Sequence, residues 1–267
     1  MPFSEILGHT DIIANLRNMV DSDRMPHALL FTEKPGCGAL SLALATLEYM
    51  FSRGKDHRIS RLVHPDIHFT FPINVSSTIG GDKRGDLEQF YPAWRQLVLE
   101  NPYFGEEELY KAFGIENRLG TISVAEAASI IRKLSLSSYE GGAKVMLIMF
   151  PERMNLETAN KLLKNLEEPQ NGTYYFLISH NPGKIITTIL SRCRIVEVPP
   201  IEHGVIADEL ARLKGLDPQE AGFWAKCSGG SMGKALDLIA REEEQSENYT
   251  VFMSLLTKAL DRYLVSL

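Results

Sequence analysis

ALLFTEKPGCGAL (Ala28–Leu40) joins a short unbroken apolar run to a glycine turn, then to a helical pattern that continues to about Arg53. An apolar run without alternation, here Ala28 to Phe31 with Thr32, suits a strand covered on both faces, as in a parallel sheet. Strand, glycine turn and helix form the setting of a phosphate-binding loop. Such a loop reads G-x-x-x-x-G-K-S/T: backbone N–H groups cradle phosphate, the lysine reaches the terminal phosphates and the hydroxyl holds magnesium. In this chain Glu33 stands at the first glycine, Ala39 at the lysine and Leu40 at the hydroxyl residue. Gly36 and Gly38 keep the turn, but the groups that bind charge are gone. The loop is therefore expected to serve packing rather than ATP binding.

Working outward, elements alternate. Thr10 to Ser22 reads as a helix with Ile13, Leu16 and Val20 on one face and Thr10 or Asp11 placed to cap it. Asp66 to Phe71 alternates like a strand. Ser123 and Glu126 form a capping box for a helix with Val124, Ala127, Ala128 and Ile131 on its apolar face, and Arg132 and Lys133 off that stripe. Lys144 to Met149 and Thr173 to Ser179 read as buried strands. Between them a helix capped by Asn155 carries Ala159, Leu162, Leu163 and Leu166. TTILSRCRIVEVPP (Thr187–Pro200) gives a helix end, a Ser191-Arg192-Cys193 turn, a strand over Ile195–Val198 and two prolines that stop it. Beyond come helices only, at about Glu202–Leu213, Asp217–Cys227 and Ser231–Ala240, and an acidic run Arg241–Glu247 read as a linker. The pattern implies an α/β fold with a mainly parallel sheet, followed by a small helical lid domain.

Composition sets bounds. At 267 residues, 44% hydrophobic and 23% charged, the chain can bury a substantial core. No apolar run reaches the ~20 residues that cross a bilayer, and the first residues lack a signal peptide's pattern. A cytoplasmic protein without membrane contact is expected. Cys37, Cys193 and Cys227 are too scattered for a disulfide framework or a zinc pair, and His57, His64 and His68 lack a fourth ligand. Neither metal nor cofactor is expected. The net charge of −6 provides no general basic field for nucleic acid. From 72 to 119 the chain is first polar and glycine-containing, which reads as flexible, then rich in aromatics (Phe90, Tyr91, Trp94, Tyr103, Phe104, Tyr110) that suit packing onto the core or a partner surface.

NKLLKNLEEP (Asn160–Pro169), TYYFLISHNP (Thr173–Pro182) and ILSRC (Ile189–Cys193) together resemble the clamp-loader branch of the AAA+ ATPases, and within it the delta-prime subunits of bacterial DNA polymerase III. The likeness runs from roughly Phe3 to Ala240, lapsing over Pro72–Leu119. It implies a P-loop AAA+-like core over 1–200 with an insertion at about 72–119, a helical lid over 201–245, and at 246–267 the start of a helical collar domain cut short. It makes Arg192, with Ser191 and Cys193, an arginine finger offered to ATP on a neighbouring subunit. Its partners would be the ATPase subunits and the clamp-opening subunit, with the sliding clamp and primed DNA met through the assembly. Arg132 and Lys133 would lie on the helix that faces DNA.

Departures from the family pattern point one way. Active relatives end this strand with adjacent acidic residues that hold magnesium; here Met149 and Phe150 stand at those positions, and Glu152 falls two residues too late. Gly233 stands where active relatives carry an arginine, and Asn181, near a position that senses the terminal phosphate, is expected to be structural. The zinc module that relatives often carry before His64-Pro65-Asp66 has no cysteine here. The resemblance thus implies a subunit of the DNA polymerase III assembly that does not hydrolyse ATP itself. An active ATPase subunit, or a scaffold whose arginine has no catalytic use, are the alternatives.

Overall fold

Leu29, Leu30 and Phe31 are fully buried because their strand lies inside a sheet covered on both sides. The computed structural model describes residues 2–52, 57–80, 85–115, 118–170 and 172–245. The expected collar segment, 246–267, lies outside the described residues. The strands are β1 (Ala28–Glu33), β2 (Ile67–Thr70), β3 (Lys144–Met149), β4 (Thr173–Ser179) and β5 (Arg194–Val198). They form a 5-stranded sheet in the order β2-β3-β4-β1-β5. Every neighbouring pair is parallel. β1 is flanked by β4 and β5, so the loop after it opens at the carboxyl edge of a central strand, where ligands of open α/β sheets bind.

Successive residues along β1, β3 and β4 join opposite apolar clusters. Leu29, Phe31, Val145, Leu147, Phe176 and Ile178 pack with helices α1 (Thr10–Asp21) and α2 (Ala39–Ser52). Leu30, Met146, Ile148, Tyr175 and Leu177 pack with residues of α6 (Val124–Ser135), α7 (Leu156–Glu167) and α8 (Thr187–Leu190). This two-sided covering is why the strands read as continuous apolar runs. A short α3 (His57–Ser60) leads into β2.

The region where the resemblance lapses folds as α4 (Leu87–Glu100) and α5 (Glu106–Ala112). Asp86 accepts from the Gln89 N–H and the Gln89 side chain returns the bond, closing a capping box. Phe90, Trp94 and Val98 follow at helical spacing and are buried in the main core. Trp94 stacks on Phe71 at 5.2 Å, and Phe113 lies edge-on to Phe90 at 5.0 Å. These aromatics are core rather than partner surface. The polar stretch before them is also held where it is described: Ser76 Oγ donates to Phe113 O, and Ile73 pairs with Thr121.

Local readings shift in three places. α1 begins at Thr10, but neither Thr10 nor Asp11 caps it; His9 takes the N-cap position in the left-handed region and turns its ring elsewhere. The buried stripe of α6 is Ala127, Ile130 and Leu134, rotated from the expected one, while Ile131 is only partly covered. The expected linker after Ala240 is helical as far as residue 245. Helices α9 (His203–Lys214), α10 (Pro218–Ser228) and the one beginning at residue 232 enclose a separate cluster that includes Ile206, Leu210, Ala225, Met232 and Ala235.

Candidate functional site

At the carboxyl end of β1 the chain places Glu33, then the turn, then the N-terminus of α2. Gly36 and Gly38 take φ of +81° and +108°, as a loop that turns its N–H groups inward requires. The hole is not open. The Glu33 side chain, only 4% exposed, sends Oε1 to His180 Nε2 at 3.1 Å. Its Oε2 accepts from the Ala39 N–H at 2.8 Å. A helix N-terminus favours an anion through its unpaired N–H groups and its dipole. Here that anion is the chain's own carboxylate. Ala39 and Leu40, which replace the lysine and the hydroxyl, are buried.

The lid closes over the same loop. Ser231 Oγ donates to Pro35 O at 2.8 Å, the Cys37 thiol points to Gly230 O, and His9 Nε2 lies 2.8 Å from Cys37 O. Gly233 and Gly36 meet the backbone of Tyr103. A Cβ on Gly233 would stand 1.9 Å from Tyr103 O, and one on Gly36 would stand 2.9 Å from it. Burial pushes the Tyr103 phenol up to about 12 and the Cys37 thiol up to about 11, so neither ionises near neutrality. The cavity left beside the loop is lined by Glu107, Glu108 and Asp237 as well as Lys34, Lys234 and Arg241. Arg241 pairs with Asp237 at 2.9 Å. Three carboxylates and three cations thus balance around this cavity, which offers a triphosphate no net positive charge.

The end of β3 is apolar. Met149 is buried with its sulfur 3.2 Å from Trp94 Nε1, and Phe150 packs edge-on to His180 at 4.7 Å. Glu152 Oε1 accepts the N–H groups of His180 and Asn181, each at 3.0 Å, and its Oε2 is buried without a hydrogen-bond partner. Asn181 thereby helps fasten the end of β4 to the end of β3. No group of three or more His, Cys, Asp or Glu side chains among the described residues could hold a metal ion. His64 instead accepts the Asp66 N–H at 3.2 Å. His68 is held below its ordinary pKa by burial and by Lys133.

Arg192 lies at the other end of the sheet. In register, Leu29 pairs with Arg194 and Glu33 with Val198. The turn before Arg194 is therefore separated from Glu33 by roughly 13 Å or more of strand rise. Within the turn, Arg192 Nη1 donates to Thr188 O at 2.7 Å and to Ser191 Oγ at 3.3 Å, and Nη2 donates to Glu167. Cys193 carries a free thiol whose pKa burial raises to about 11. Arg132 and Lys133 occupy the last turn of α6, where cations offset the helix dipole. Arg132 is exposed, while Lys133 lines a groove of about 350 Å³ with His68, Glu88 and Tyr91.

Sequence reasoning missed Glu33, His180, Tyr103 and Glu167 as working residues. Glu33 reads only as an absent glycine, since its partner His180 is 147 residues away. The sole local signal was an acidic side chain at the mouth of a loop built to hold an anion.

A five-stranded all-parallel sheet with a glycine turn after a central strand and a helical lid defines a P-loop AAA+-like protein. RuvB of Thermotoga maritima, a Holliday junction branch migration motor, superposes with a TM-score of 0.53 over 91% of this chain and 64% of that one, at 14% identity. The likeness concerns the fold. The family model described as DNA polymerase III, delta subunit, matches residues 8–202, and the chain belongs to that family. Curated relatives carry the name DNA polymerase III subunit delta'. That of Bacillus subtilis is 25% identical over 238 residues, 85% of this chain and 58% of the relative. That of Pseudomonas aeruginosa is 38% identical over 101 residues, 38% of this chain and 30% of the relative. The chain thus spans less than two thirds of these relatives. No helix among the described residues is long and apolar enough to cross a membrane.

Proposed function

We propose that this chain is a delta'-type clamp-loader subunit that neither binds nor hydrolyses ATP, and that lends Arg192 to ATP held by a neighbouring subunit. The observation that carries the first half is Glu33. A carboxylate seated on the N-terminus of α2 satisfies the place where a phosphate would lie, and Ala39 and Leu40 stand where a phosphate-binding loop has its lysine and hydroxyl. The position of Arg192 supports the second half, since it lies at the amino end of β5, away from this chain's own loop at the carboxyl end of β1. In this reading residues 1–200 form the core and 201–245 the lid. The ATPase subunits and the clamp-opening subunit are its direct partners. The sliding clamp and primed DNA are reached through the assembly, with Arg132 and Lys133 against the phosphate backbone.

A guanidinium brings permanent charge and a planar fork of donors to a γ-phosphate, which is worth most as charge develops in the transition state. Arginine fingers contribute about 10³–10⁵ in rate in GTPases, a range that a multi-site ring would dilute. In an assembly with a single active site next to this subunit, Arg192→Ala is expected to slow ATP hydrolysis at least about tenfold with the ring intact. Arg192→Lys should rescue poorly. Hydrolysis at the parental rate in an intact ring would leave a scaffold without a catalytic arginine.

A further inference from the structure

Glu167 is the last residue of α7, a poor place for a carboxylate, because the helix dipole is negative there. Its side chain accepts a hydrogen bond from Arg192 Nη2. The pair is partly open to solvent, with side-chain exposures of 31% for Arg192 and 44% for Glu167. Both N–H groups of Nη1 are directed to Thr188 O and Ser191 Oγ. Nε is buried and without a hydrogen-bond partner. A guanidinium grips two oxygens of one phosphate or carboxylate through parallel N–H bonds. In this arrangement the Nε side of the fork faces inward.

We propose that Glu167 is a latch that parks Arg192, so that the arginine reaches a neighbour's nucleotide only when the γ-phosphate competes successfully with this carboxylate. The inference rests on the reading of Arg192 as a finger acting in trans. It adds a positioning residue in the LEEP segment, whose role is to hold the guanidinium away from the phosphate rather than to touch ATP. A terminal phosphate carries more charge than one carboxylate, so it can draw the guanidinium out of the parked position where a shorter diphosphate does not reach. Exposed ion pairs are weak, so the latch should be easily opened and its effect modest.

The test uses the assembled ring with a single active site beside Arg192, and compares parental protein, Glu167→Gln, Arg192→Ala and the double variant. Glu167→Gln is expected to raise ATP hydrolysis in the absence of DNA by roughly two- to fivefold, the range set by an exposed pair. The rise should appear in kcat/KM for ATP, with ring assembly and thermal midpoint as in the parent. The double variant should match Arg192→Ala alone. Should Arg192→Ala slow hydrolysis while Glu167→Gln leaves it unchanged or lowers it, the latch is wrong and the finger stands. Acceleration by Glu167→Gln that persists in the double variant would likewise overturn it. If Arg192→Ala has no effect, the finger reading fails and the latch with it.

Discussion

Glu33 fills the loop after β1 from within. Backbone N–H groups at a helix start attract any anion, and a carboxylate tethered six residues away is always at hand. Glu33→Gln keeps the shape but removes the charge from both hydrogen bonds. Charge-assisted bonds of this kind contribute about 1.5–3 kcal/mol each, so the midpoint of thermal unfolding should fall by several degrees. An unchanged melting curve would show that the carboxylate is not held as described. Asp66 allows a second test at this scale. Burial alone would raise its pKa, yet the N–H groups of Tyr139 and Glu140 and the Ser138 hydroxyl outweigh that and hold it below the usual carboxylate range. A depressed folded-state pKa gives stability that is fully present above about pH 4, the unfolded value, and is lost as pH falls through the folded one. Asp66→Asn should therefore lower stability at pH 7 and flatten its acid dependence, which urea unfolding between pH 7 and pH 3 would read. Parallel acid limbs for the two proteins would contradict the assignment. Neither residue was legible as a working group, because each carboxylate is defined by partners that only the folded chain brings close.

Between elements, the contact that matters is the lid helix from residue 232 against the loop after β1. Gly233 lies so close to Tyr103 that any side chain must push the two apart, and overpacking of this kind costs about 1–3 kcal/mol. Gly233→Ala is expected to lower the unfolding midpoint by a few degrees and to speed hydrogen exchange across α9 and α10 relative to the sheet. Equal exchange in the two proteins would mean that the lid does not depend on this contact. The same geometry leaves no room for a longer side chain at this position, because Tyr103 occupies the path. Tyr103 comes from the stretch where the family likeness lapses, so its place beside the loop could not be read from the sequence. The helix before it was legible in principle. Asp86 and Gln89 are a capping box, and Phe90, Trp94 and Val98 a helical stripe, yet Pro92 inside the helix and the glycines ahead of it obscured the pattern. Where local signals were clean they held: Asn155 does cap α7, accepting from Thr158 N–H at 2.8 Å.

At the scale of the whole molecule, the sheet keeps two features apart. The carboxyl end of β1 carries a glycine loop filled from within, and the amino end of β5 follows the turn that holds Arg192. The parallel sheet and the lid were readable from apolar runs without alternation and from the change to helices after Pro200. The strand order was not, because it depends on which crossovers pass over which face rather than on any one segment. The loop after β1 already holds an anion of its own, the Glu33 carboxylate. Isothermal titration of the chain with a non-hydrolysable ATP analogue and magnesium tests it most directly. The account predicts no saturable heat, and saturable binding with a dissociation constant below about 1 mM, within the range where enzymes meet their substrates, would contradict it.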